Sequence, residues 1–214
     1  MLLAHLAGEG FGGVPRYLGE DDLGREILTF VPGEVPAKWR AFDDEQIAAA
    51  GMLLRRMHDA SRGLAQRIGG GDVVCHHDPG QNNTVFRDDL PVAFIDFDFA
   101  AVGDPLEDVG YVAWSWCISS KPVRGLPAEQ ARQVRVLADA YGLSADQRRR
   151  LVTVIEDRFI RNECFWRKRA DAGQPGHAGP TAAEVSAWTR QEAAHFASHR
   201  SVFAAALNSV RDRS

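Results

Sequence analysis

Hydrophobic and polar positions alternate along this chain in two distinct ways. Near the start, Leu2, Leu3 and Leu6 fall on one side of a short helical segment, Met1 to Gly8, which stops at Gly8 or Gly10. Val14 to Leu18 and Arg25 to Val31 read as β-like runs on either side of the turn Gly19 to Gly24, so a hairpin is predicted. Pro32-Gly33 breaks the second run. From Asp43 to Ala60 the pattern becomes helical. Asp43 caps the segment, Gln46 stands three residues on, and Ile47, Ala50, Leu54 and Met57 share a face. Gly69-Gly70-Gly71 marks a loop, followed by three apolar runs too short for helices: Val73–Cys75, Thr84–Phe86 and Val92–Ile95. Asp104-Pro105 then opens a helix that should run through Trp116, with Asp as cap and Pro at the first helical position. Further helices are predicted near Ala128–Tyr141, from Ser144-x-x-Gln147 to about Ala170, and from Thr181-x-x-Glu184 to about Leu207. A small β-containing piece therefore precedes a mainly helical one.

Composition narrows the class. The chain has 214 residues, 45% hydrophobic and 25% charged, with a formal net charge of −4, an ordinary globular balance. No apolar run reaches the roughly 18 residues that a membrane-spanning helix requires. The opening residues lack the basic and apolar regions of a secretory signal. Mild acidity argues against nucleic acid and anionic membranes as partners. Cys75, Cys117 and Cys164 are scattered, without a C-x-x-C, and read as reduced thiols of a cytoplasmic protein.

The chemistry concentrates between Val73 and Asp108. Asp78 is followed five residues on by Asn83, and Asp96 stands at the end of the apolar run Val92–Ile95. Pro79-Gly80 makes the intervening segment a loop, which can bring Asp78 and Asn83 to one small volume. One carboxylate to take a hydroxyl proton, and an amide and a carboxylate to hold Mg²⁺, is the set that phosphoryl transfer from a nucleoside triphosphate demands.

Blander readings compete. An Asp-x₄-Asn alone is ordinary turn chemistry. His76-His77-Asp78 could hold Zn²⁺ or Fe²⁺, although adjacent histidines in an extended segment point opposite ways. His58 reads as a residue at the edge of the core. Trp114 and Trp116 read as helix packing, and Glu156, Asp157 and Glu163 as a solvated face interleaved with arginines.

Three motifs in order, His76-x-Asp78-x₄-Asn83, Ile95-Asp96-Phe97-Asp98 and Gly103-Asp104-Pro105-x-x-Asp108, resemble those of the aminoglycoside phosphotransferase and choline-kinase-like family. The stretch Phe11 to Glu34 is similar to the end of that family's small lobe and its hinge. The resemblance implies an α+β, protein-kinase-like fold: a truncated small β-containing lobe over residues 1–34 and a larger helical lobe over residues 35–214. It implies Asp78 as catalytic base, Asn83 and Asp96 as Mg²⁺ ligands, and His76 and Asp108 as braces of the catalytic loop. Asp98 would be a metal-proximal acid, and the backbone near Phe30 and Val31 would face the adenine. The implied reaction moves the γ-phosphoryl group of ATP or GTP to a small-molecule hydroxyl.

The family's phosphate-covering loop and strand cation do not stand out. Lys38, Lys121 and Lys168, the three lysines, fit no such position. Two expectations follow: an N-terminal segment encoded upstream, or a degenerate pseudo-kinase acting as a binding or immunity-type module. Either way, Leu2, Leu3, Leu6 and the predicted hairpin should be uncovered and open to self-association.

Overall fold

Leu3 and Leu6, on the first helix α1 (Leu2–Gly8), are buried in the same hydrophobic cluster as Ile47, Leu53 and Leu54. The expectation that they would be uncovered is therefore corrected. The computed structural model describes residues 1–37, 40–173 and 180–209; Lys38 lies outside them. His5 ties α1 down further, its Nε2 donating to the carbonyl of Ala60 at 3.1 Å.

The hairpin forms, with shorter strands than the apolar runs suggest: β1 (Tyr17–Glu20) and β2 (Glu26–Leu28) pair antiparallel, with an irregularity between Tyr17 and Gly19. Asp21 organises its turn by accepting from the N–H groups of Leu23 and Arg25, each at 2.9 Å. Leu18 and Ile27 stay exposed. The chain then approaches the larger body at Gly33. Glu34 and Phe86 exchange backbone hydrogen bonds of 2.9 and 2.7 Å. A Cβ on Gly33 would stand 2.3 Å from the Phe86 carbonyl oxygen, and its φ of 146° suits glycine.

Asp43 and Gln46 close the start of α2 (Asp44–Ile68) with both halves of a capping box. The helix runs on to Ile68 and does not stop at Ala60, because Ser61, Leu64 and Ala65 continue its buried face until Gly69 ends it. The apolar runs become β3 (Val73–Cys75), β4 (Thr84–Arg87) and β5 (Leu90–Phe94). An unforeseen strand, β6 (Ala101–Gly103), pairs antiparallel with β3, while β4 pairs with β5. These two ribbons carry the polar motifs.

Helix α3 (Leu106–Val112) begins one residue after the sequence expectation, with Pro105 as cap. Asp104 still supports it, accepting from the Leu106 N–H at 2.9 Å. It continues as a wide π-helical turn over Ala113–Cys117. Then come α4 (Pro127–Tyr141), α5 (Ala145–Asp171), α6 (Ala182–Ser198) and α7 (Arg200–Asn208). The single helix expected from Thr181 to Leu207 is broken at His199, whose φ of −117° is not helical. Trp116, Phe159, Phe196, Phe203 and Leu137 fill the core between these helices. The fold is α+β and mostly helical. No helix among the described residues is long and apolar enough to cross a membrane.

Candidate active site

A buried carboxylate holds the polar loop in shape. Asp108 is fully buried on α3. Its Oδ2 accepts from the His76 N–H at 2.6 Å and from His58 Nε2 at 3.0 Å, and its Oδ1 accepts from the His77 N–H at 2.7 Å. Burial pushes its pKa up, but the hydrogen bond and charge of His58, with the nearby His76, outweigh that, so the pKa is lowered. The two N–H donors hold successive peptides of a strained segment, since His77 has a φ of 64°. The His77 ring adds a 3.1 Å bond to the Phe99 carbonyl. His58 is thus no core-edge residue. It is fully buried, and its Nδ1 meets the Tyr141 hydroxyl at 2.7 Å.

His76 joins the two motif segments. Its Nε2 donates to the Ile95 carbonyl at 3.0 Å and its Nδ1 accepts from the Asp78 N–H at 3.3 Å. Both ring nitrogens are occupied, which removes the Zn²⁺ or Fe²⁺ reading of His76-His77-Asp78. His58, Cys75 and Asp108 also cluster, with potential ligand atoms within 4.8 Å. There too the imidazole nitrogens and carboxylate oxygens are already hydrogen-bonded.

Asp78 follows in the loop, half-buried. Asn83, at the end of a 3₁₀ turn over Gln81–Asn83, donates from Nδ2 to Asp78 Oδ2 at 2.9 Å and to the Asp78 carbonyl at 3.0 Å. The pKa of Asp78 is raised. Burial is the largest influence, opposed by a hydrogen bond from Tyr111, the charges of His76 and Arg158, and the bond from Asn83. The Ile95 N–H donates to the Asn83 carbonyl at 3.0 Å, so the residue before Asp96 is pinned to both His76 and Asn83. Asp96 itself has a φ of 64°, and its exposed carboxylate has no hydrogen bond or ion pair among the described residues. The Asn83 Oδ1 accepts from Asn82 Nδ2 at 3.0 Å and keeps a second lone pair; with the uncommitted Asp96 carboxylate it makes a hard, all-oxygen donor set of the type that suits Mg²⁺.

Asp78, Asp96 and Asp98 line one cavity of about 980 Å³. Asn83 lies beneath it against Asp78, and His76 and Asp108 are buried below. Phe30 and Val31 are not brought there: Phe30 is 83% exposed, and its segment is tied to β4 through Glu34. Sequence reasoning missed Tyr111 and Arg158, which both line the cavity. Tyr111 lies three residues after Asp108 and so on a neighbouring face of α3, a signal that could have been read. Arg158 carries no local signal. Lys121 lines the cavity as well, although the sequence offered it no place there. Trp116 is core, with its Nε1 donating to the Pro79 carbonyl at 3.2 Å, whereas Trp114 borders the cavity. Glu156 and Glu163 pair with Arg200 and Arg190.

Residues 62–152 match the sequence profile of the phosphotransferase enzyme family, a span that holds all three motifs. The trifolitoxin immunity protein of Rhizobium leguminosarum bv. trifolii is 31% identical over 231 aligned positions, covering 96% of this chain and 86% of that protein. The chain belongs to the phosphotransferase enzyme family. Its fold is shared by a choline/ethanolamine kinase family protein from Mesorhizobium loti, at a TM-score of 0.61 and 15% identity over 97% of this chain and 81% of that one. A proposed aminoglycoside phosphotransferase from Ralstonia eutropha JMP134 gives a TM-score of 0.62 at 16% identity, over 94% and 81%. The fold expected from the motifs is thus the one that these two proteins share.

Proposed function

We propose that this phosphotransferase-family protein moves the γ-phosphoryl group of ATP or GTP to a hydroxyl of a small molecule. The observation that carries the reading is the half-buried Asp78 carboxylate, hydrogen-bonded to Asn83 at 2.9 Å and sharing a cavity with Asp96. The acceptor oxygen attacks the γ-phosphorus, its proton passes to Asp78, and the bond from that phosphorus to the β–γ bridging oxygen breaks. The products are a phosphate monoester and a nucleoside diphosphate. Asn83 and Asp96 would hold Mg²⁺, which when bound neutralises charge on the triphosphate. Asn83 also fixes the Asp78 carboxylate, and His76 sets the distance between the loop and Asp96. Asp98, which lines the same cavity, would stand near the metal.

A second reading is favoured by the relative's name: a binding or immunity-type module that does not turn over. Thermal unfolding with Mg²⁺ and ATP or GTP tests the first reading. At about 100 times Kd, a nucleotide should add about 2.7 kcal/mol of stability. A flat response to both nucleotides, with no nucleoside diphosphate formed, would overturn transfer and leave the immunity-type module.

A further inference from the structure

The cavity extends from Asp78 into a region that the transfer step does not use. Trp114 and Trp188 stack there with centroids 5.4 Å apart at 23°. Phe165 stands edge-on to Trp166 at 5.2 Å and to Phe99 at 6.4 Å. Phe99 and Phe165 line the cavity yet are 52% and 42% exposed, so apolar rings face its opening. Water-facing rings around a concave site favour a flat apolar occupant.

Charges of both signs line the cavity, five carboxylates against Lys121 and three arginines, so what matters is which of them are already engaged. Glu107 is paired with Arg161 at 2.5 Å, and Glu184 accepts from the N–H and hydroxyl of Thr181 at 2.7 and 2.8 Å. Arg158 is different. Its guanidinium carbon sits 4.2 Å from the Tyr111 ring centroid, and its buried Nε has no acceptor among the described residues. It forms a hydrogen bond with the Tyr111 hydroxyl, while Asp78 attracts it only through space. Gln81, 6% exposed, lines the same cavity with a buried Oε1 that lacks a donor. Arg124 is likewise engaged, with the Trp116 and Ser115 carbonyls, whereas Arg158 offers an unmet donor to an anionic group entering this space.

We infer that the acceptor is a hydroxylated aryl carboxylate: its ring lies along the Trp114–Trp188 pair, its anionic group meets Arg158, and its hydroxyl reaches Asp78, with Gln81 taking a donor hydrogen. The identity of this ligand as an acceptor rests on the phosphotransferase reading; the binding site does not.

The test is titration of the full chain, without nucleotide, with 4-hydroxyphenylacetate, its cationic counterpart tyramine and its neutral counterpart tyrosol, followed by calorimetry. The carboxylate should bind about tenfold or more tighter than the amine, as a charge-assisted contact predicts. Arg158→Gln should remove that preference while leaving tyrosol binding nearly unchanged, and Arg158→Lys should restore part of it. Circular dichroism of each variant checks folding. Tyramine binding as well as the acid, or an acid affinity indifferent to Arg158→Gln, would overturn the inference. Transfer assays with Mg²⁺ and ATP or GTP separate the two proposals. Acid binding with a flat nucleotide response and no nucleoside diphosphate sinks the phosphotransferase reading alone, whereas acid binding with turnover of another hydroxyl compound only removes the acid as acceptor and overturns the inference. Phosphorylation of an amine or aminosugar, with the acid untouched, sinks this inference alone.

Discussion

The backbone N–H of His76 donates a 2.6 Å hydrogen bond to Oδ2 of Asp108, thirty-two positions further along the chain. With His77 on the other oxygen, one buried carboxylate fixes two successive peptides just before Asp78. Removing it leaves buried donors without an acceptor. Asp108→Ala should lower the unfolding free energy by about 3–5 kcal/mol in a denaturant titration. A loss below about 1 kcal/mol would mean that the network does not hold in solution.

The same residue sets an acid dependence. Hydrogen bonding from His58 and the His76 N–H overcomes burial and leaves the Asp108 pKa below the ordinary carboxylate value of about 3.9. The folded state therefore binds this proton more weakly than the unfolded chain. Its stabilisation is complete above the unfolded pKa and is lost as pH falls through the folded one. The stability advantage of the native protein over Asp108→Ala should be level from pH 7 to 5 and shrink only below about pH 4. A decline already under way at pH 6 would contradict the assignment.

Asp78 and Asp96 should fail differently. Asp78→Asn should reduce kcat by about 10²–10⁴ while nucleotide-induced stabilisation persists, because a base acts on the acceptor proton. Asp96→Ala should instead abolish the Mg²⁺-dependent part of that stabilisation. Equal loss of nucleotide binding in both variants would refute the division of roles.

Tyr111 tunes the base. Burial raises the Asp78 pKa, and the Tyr111 hydroxyl opposes this. Activity requires the ionised carboxylate, so it should fall as pH drops through the raised Asp78 pKa. Tyr111→Phe removes a bond that favours the charged form and should move this acid limb to higher pH. A limb that stays in place, or moves down, would show that the hydroxyl does not serve Asp78.

Leu6 tests the docking of α1. It is fully buried within the main core. Leu6→Ala should cost about 2–5 kcal/mol by chemical denaturation. A near-neutral result would mean that α1 does not pack on α2 in solution.

Local signals carried much of this protein. Asp43/Gln46, Ser144/Gln147 and Thr181/Glu184 are capping boxes within four residues, and each starts a helix where the sequence puts it. The loop that holds Asp78 against Asn83 and the strand that precedes Asp96 were legible as well, because a tight loop and a strand end leave few ways to arrange them. Elements that depend on partners were not legible. Strand β6 exists because Val73–Cys75 offers it an edge, and α7 separates from α6 only at a non-helical His199. Burial of Leu3 and Leu6 depends on α2, and the role of His58 on Asp108, fifty positions away. Arg158 and Gln81 meet in one cavity through packing of α5 against α3 and the loop. Capping and turn chemistry act between near neighbours and can be read along the chain. Burial, through-space charge and the lining of a cavity arise between distant segments, so only the tertiary structure decided them.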